Sequence, residues 1–166
     1  MNDTDVATGT SRTIFSALRG LAGALALVLG LTWILLNMHG PGPFRDMAVG
    51  TVLAAGGLVL LMPHRLPLPA RLTVLTAAAT ATVGALAGLL TERSQIGGMF
   101  GYVAARGWPY EWLARGAVAD DPQTARAMAE QATWQVDAVN LVANLVFWGL
   151  LGLVVAALVN KVRFRT

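Results

Sequence analysis

The sequence predicts an all-α integral membrane protein: a four-transmembrane-helix bundle with a structured outer segment between helices 3 and 4. Three observations predict it. Apolar residues make up 55% of the 166-residue chain and charged residues only 13%, about half the charged share of an ordinary soluble domain, so a fully water-facing surface cannot be assembled. Four apolar stretches approach the ~20 helical residues that a hydrocarbon core of about 30 Å requires. The basic residues are unevenly divided among the connections between those stretches.

Residues 1–18 form a polar tail, and residues 19–90 hold the first three spans. Span one, Gly20 to Met38, carries no charge. Arg12 and Arg19 give it the basic front of a signal peptide, but the run is long and Asn37-Met38-His39-Gly40 offers no small-x-small cleavage site, so it reads as a retained anchor. Span two, Met47 to Met62, is short enough to need a thinned bilayer or outward-reaching polar ends. Span three, Leu72 to Leu90, contains only Leu, Ala, Val, Thr and Gly. Span four, Val139 to Val159 within residues 137–160, is apolar apart from two asparagines near its start, and residues 161–166 end the chain as a basic tail.

Orientation follows from the basic residues. Arg12, Arg19, Arg65, Arg71, Lys161, Arg163 and Arg165 share one side if the spans alternate, whereas the opposite short turn holds only Arg45. The long 91–136 segment on that opposite side balances four arginines against five acids. The expectation is a bacterial cytoplasmic (inner) membrane protein with both termini cytoplasmic. Eleven of the twelve basic residues are arginine, a skew that suggests a GC-rich bacterial genome and not a nucleic-acid surface.

Proline and glycine punctuate the short connections. Gly40-Pro41-Gly42-Pro43 cannot continue a helix and predicts a tight outer hairpin, while Pro63 to Pro69 predicts a stiff, extended inner connector. His39 and His64 then lie on opposite faces of the membrane and cannot act as a pair. In lipid, helices associate through close backbone approach and polar contacts. Ala77, Ala81, Ala85 and Gly84-x-x-x-Gly88 in span three supply such surfaces, as do Gly23 and Gly30, Gly56-Gly57, and Gly149-x-x-Gly152 elsewhere.

Residues 91–136 stay outside for longer than helix connections usually do, which marks such a loop as structured or functional. The expectation is an extracytoplasmic helical cap with an interfacial aromatic turn. Ser94 to Ala105 has apolar residues enough to lie on the membrane surface, although Gly97, Gly98 and Gly101 weaken a regular helix there. Trp108, Tyr110 and Trp112, punctuated by Gly107 and Pro109, have the ring chemistry that favours the headgroup layer. They can anchor a turn there, roof a lipid or ligand cleft, or dock a partner. Asp120-Asp121-Pro122 opens a helix by capping and by a proline in its first turn, and nothing before Val159 interrupts it, so one continuous helix is predicted from Gln123 into span four.

Asp137, Asn140 and Asn144 fall at i, i+3 and i+7 on that helix, hence on one face. Asn37 and Glu92 are expected at the same level. An intramembrane polar cluster is a candidate site for a ligand or partner; the alternative is a structural clamp in which Asp137 pairs with an arginine and the asparagines bond to backbone.

With no cysteine, disulfides, thiolate nucleophiles and Cys-based metal centres are excluded. No Ser/His/Asp set, zinc-protease motif or phosphate-binding Gly-rich loop is present, so no catalytic residue, metal or cofactor is assigned.

Residues 106–148 resemble a pattern of small prokaryotic four-span membrane proteins, in which a Gly-aromatic-Pro-aromatic-x-Trp-Leu turn precedes the last helix. It stands here as Gly107-Trp108-Pro109-Tyr110-Glu111-Trp112-Leu113, followed by Asn140, Asn144, Phe147 and Trp148. The resemblance covers about a quarter of the chain and brings no activity with it. The functional expectation is therefore a non-enzymatic accessory or interaction subunit, partnered by membrane lipid and by another membrane subunit or further copies of itself. A lipid- or small-molecule-binding protein and a minimal oligomeric transporter or channel are the alternatives.

Overall fold

The structure, a computed structural model, describes residues 3–38, 43–62 and 70–163. Residues 39–42 of the outer hairpin, the 63–69 connector and both histidines lie outside the described residues. In chain order the elements are α1 (Asp3–Asn37), α2 (Pro43–Leu61), α3 (Ala70–Gly88), β1 (Glu92–Gly97), β2 (Gly101–Arg106), β3 (Leu113–Val118), α4 (Pro122–Gln131), β4 (Gln135–Val136) and α5 (Ala138–Arg163).

Four of the helices are long and apolar enough to cross a membrane, over Ile14–Asn37, Phe44–Leu61, Arg71–Gly88 and Ala138–Lys161. No more than 28% of any of these stretches is buried against the rest of the chain. Leu21, Leu25 and Val28 of α1, Leu72 and Val74 of α3, and Val142 and Leu158 of α5 are all exposed. Side chains of this kind gain by leaving water, so the helices carry the exterior of a multi-pass membrane protein. The second helix also starts earlier than its apolar run: proline is tolerated in a first turn because its missing N–H is not needed there. Its 19 residues reach about 28 Å, with Arg45 and Asp46 in the first turn ahead of the apolar run.

The chain divides into two compact units, one from residues 1–77 with 150–166 and one from residues 78–149. In the first, α1 and α2 pack antiparallel through glycines seven residues apart on each helix. A methyl group on Gly23 would sit 3.0 Å from the Leu60 Cβ, one on Gly30 would sit 2.6 Å from the Gly50 carbonyl, and one on Gly57 would sit 2.5 Å from the Leu27 amide. The backbones touch where side chains are missing, which is how helices gain dispersion contact in lipid. Gly56 presents the adjacent face of α2 to Leu150 of α5.

The second unit corrects the all-α expectation. Residues 91–136 are not a helical cap: they hold a four-stranded antiparallel meander in the order β1-β2-β3-β4, with α4 packed on β2 and β3. The glycines that weaken a helix at 97, 98 and 101 instead serve a hairpin, whose turn includes Phe100 at φ +57°. The register runs from Glu92 opposite Arg106 to Gly97 opposite Gly101. Small residues let α4 lie close, with Ala104 on the sheet and Ala125 and Ala129 on the helix almost fully buried.

The continuous helix from Gln123 into span four is also overturned. It ends at Gln131, and Ala132 turns extended while its N–H still donates to the Met128 and Ala129 carbonyls. Three interactions make the interruption favourable. Gln135 and Val136 pair with Ala114 and Leu113; the Arg106 and Arg115 guanidiniums lie 5.0 and 4.6 Å from the Trp134 ring centroid, within cation–π range; and Asp137 starts a new helix. The beginning of α4 is as expected: Asp121 Oδ1 accepts from the Gln123 and Thr124 amides at 2.9 and 3.0 Å.

Candidate functional site

The polar residues of α5 meet the aromatic turn. Gly107, at φ +133°, bends the chain out of β2, and its N–H donates to the Thr91 carbonyl at 3.3 Å. A side chain there would meet the Tyr110 carbonyl and the Trp112 ring, so glycine is required on two counts. The Trp108–Pro109 bond is cis, and the Trp112 N–H closes the loop onto the Arg106 carbonyl at 3.0 Å.

Between these ends the chain runs alongside α5. The Asp137 N–H donates to the Trp112 carbonyl at 2.8 Å. Asn140 Nδ2 donates to the Glu111 carbonyl at 3.0 Å. Asn144 grips Tyr110 with both ends of its amide, Nδ2 donating to the Tyr110 carbonyl at 2.7 Å and Oδ1 accepting from the Tyr110 N–H at 3.1 Å. Trp148 Nε1 donates to the Trp108 carbonyl at 3.1 Å. The backbone groups of this bent loop between β2 and β3 are thus read, group by group, by one helix face.

The aromatic rings complete the packing. Trp108 lies 5.5 Å from both Phe147 and Trp148, edge-on to Phe147 and tilted to Trp148. On α3, Gly84 leaves the space that the Trp148 indole occupies, and a methyl on Gly88 would be 2.8 Å from the Trp108 amide nitrogen. The Gly-x-x-x-Gly pair of span three therefore receives an indole and a turn. Asn144 is fully buried and Pro109 nearly so.

The expected site residues sort accordingly. Asn140, Asn144, Trp108, Tyr110 and Trp112 come together. Asp137 belongs to the same line but is exposed; instead of pairing with an arginine it caps α5, its Oδ1 accepting from the Asn140 N–H and its Oδ2 from Asn140 Nδ2, both at 3.0 Å. Glu92 lies on β1 and accepts two bonds from Arg106, at 2.7 and 3.1 Å. Asn37 donates to the Trp33 carbonyl of its own helix at 2.9 Å and belongs to the other unit. Trp148 was absent from the expected set, although its position four residues beyond Asn144 continues the same face. So was Asp46, buried in the first turn of α2 with Arg45 at 3.7 Å.

No family model, curated protein or solved structure matches the chain. Its chemistry is read from geometry. The Asn140 and Asn144 amides and the Trp148 N–H are matched to half-buried backbone groups of the turn, whose burial without partners is costly. Among the described residues no three His, Asp or Glu side chains converge as a metal site requires. Two buried groups are unmatched in this region: Trp112 Nε1 and Arg115 Nε have no acceptor, although Arg115 Nη1 donates to the Glu130 carbonyl at 2.8 Å.

Proposed function

We propose that this chain is a four-span protein of the bacterial cytoplasmic membrane, with both ends in the cytoplasm, that serves as a non-enzymatic interaction subunit. Its outer sheet and α4 form a platform held to span four, and strip 108–112 is a re-entrant segment descending beside α5. The observation carrying this reading is the backbone clamp made by Asn140, Asn144 and Trp148. Non-helical backbone at membrane depth persists only where protein satisfies its polar groups, and these three side chains do that. They are consumed in holding the turn, so the cluster acts as an anchor for the platform.

The reading is tested in two steps. Single cysteines placed in this cysteine-free chain should label with impermeant maleimide at Gln123 and stay protected at residue 66; the opposite pattern removes the topology. Extraction in native membrane discs should yield the chain together with another subunit, and a solitary chain would remove the interaction role. A second reading, a lipid or small-molecule site, is favoured by the buried Trp112 Nε1. Native mass spectrometry should then show a bound lipid that Trp112→Phe loses while the sheet stays folded; equal lipid retention would eliminate it.

A further inference from the structure

Four arginines stand on the outer sheet and α4, and three of them are matched to acids. Arg93 pairs with Glu111, Arg106 with Glu92 and Arg126 with Glu130. Arg115 has no carboxylate within ion-pair distance among the described residues. Its Nη1 donates to the Glu130 carbonyl at 2.8 Å, in the last turn of α4, and its Nε is buried without an acceptor. A helix terminus offers only about half a negative charge, so half-buried Arg115 keeps a positive surplus. Charge withdrawn from water needs a partner.

The edge left to Arg115 is the one that recognises anions. On a guanidinium, Nε and Nη2 form a planar fork suited to carboxylate and phosphate oxygens. In Arg106 that fork closes on one oxygen of Glu92, at 3.1 and 2.7 Å. In Arg115 no group of the described residues offers it an acceptor.

The surroundings strengthen the attraction. Arg106 stands opposite Leu113, two residues from Arg115, and alternate residues of a strand share a face. Both guanidiniums lie within 5.0 Å of the Trp134 ring centroid. They are therefore within about 10 Å of each other, inside the screening length at about 0.1 M salt, and Glu92 neutralises only one of them.

Their height matches lipid headgroups. Trp134 precedes Ala138, where the span-four apolar stretch begins, by four residues, two of them in β4. At ~3.3 Å per extended residue its backbone stands no more than about 13 Å from that stretch, beside a headgroup layer about 5–8 Å deep. Tryptophan favours that layer, and Arg106 directly precedes the turn held on α5.

We propose that the Nε–Nη2 fork of Arg115, backed by Arg106 and Trp134, binds the phosphate of an anionic phospholipid in the outer leaflet. A zwitterionic headgroup would bring an ammonium toward two guanidiniums, so selectivity falls on a headgroup whose phosphate charge is uncompensated. The assignment needs the sheet at the membrane surface. It does not depend on the interaction role proposed above, and it is distinct from the Trp112 reading.

For the test, the full chain in mixed micelles is offered equal amounts of dioleoyl phosphatidylglycerol and dioleoyl phosphatidylcholine, and bound lipid is counted by native mass spectrometry. Wild type should retain phosphatidylglycerol about fivefold over phosphatidylcholine, the scale of one basic residue at an anionic surface. Arg115→Gln should bring the ratio close to parity while the Val103 and Ala104 amides keep the exchange protection of an intact sheet. Should that substitution loosen the sheet, Arg115→Lys keeps the charge but removes the fork, and it should still lower the ratio. Arg126→Gln and Trp112→Phe should leave the ratio unchanged. Equal retention of the two lipids by wild type overturns the proposal, as does a preference that survives either Arg115 variant in a folded sheet or disappears with Trp112→Phe. Retention should persist in excess inorganic phosphate; displacement there would assign the fork to free phosphate and overturn the lipid.

Discussion

The two units join their parts by opposite means. Between α1 and α2 nothing polar is needed: Gly23, Gly30, Gly50 and Gly57 remove side chains until backbones touch. Between α5 and strip 108–112 the contact is polar, with Asn140, Asn144 and Trp148 bonding to backbone groups that no regular element satisfies. The difference teaches what each partner lacks. Two helices have already matched their own backbone and gain only from proximity; an irregular loop has not, and a neighbour must supply the bonds.

That contrast predicts a ranking. Asn144→Leu should do most damage, because it removes both hydrogen bonds to the Tyr110 backbone and puts an apolar group against it, at about 1–3 kcal/mol. Loss of exchange protection at Tyr110, with the α1–α2 pair unaffected, is the expected signature, and an unchanged amide would dissolve the clamp. Gly30→Val should rank next, at about 1–3 kcal/mol for overpacking, read as earlier loss of helical circular dichroism in a detergent titration. Stability equal to wild type would mean that the backbones do not meet there.

Trp148→Phe keeps most of the ring packing against Gly84 and removes one bond to the Trp108 carbonyl. It should cost about 1 kcal/mol, measured by the same titration, and a cost near that of Asn144→Leu would show packing to be the larger part. The smallest effect is expected at Asp121, which lies outside the apolar stretches. Its hydrogen bonds from Thr124, side chain first and then backbone, hold its carboxyl below the ordinary 3.8. A depressed folded value means its contribution to α4 is fully present above the ordinary carboxylate range and is lost as pH falls through the folded value. Exchange at the Gln123 and Thr124 amides should speed up only at that acid end, and Asp121→Asn should abolish the dependence.

Much of the helical part was legible because its determinants are local. The four spans follow from continuous apolar runs, and the polar face of α5 from three- and four-residue spacing of Asp137, Asn140 and Asn144. The meander was not legible. Its strands pair residues as distant as Leu113 and Val136, and the apolar residues between Ser94 and Ala105 suit a surface helix as well as a hairpin. Trp134 is a similar case: within a helical pattern it reads as one more apolar position, and only the folded sheet brings Arg106 and Arg115 over its ring.

Composition and periodicity were thus sufficient for the apolar helices and for the helix face that holds the turn, because solvent preference and helical spacing are properties of each stretch alone. Whether 91–136 became sheet or helix depended on partners far away in the chain. Backbone hydrogen bonds between strands carry no side-chain signature, so only the assembled tertiary structure could decide them.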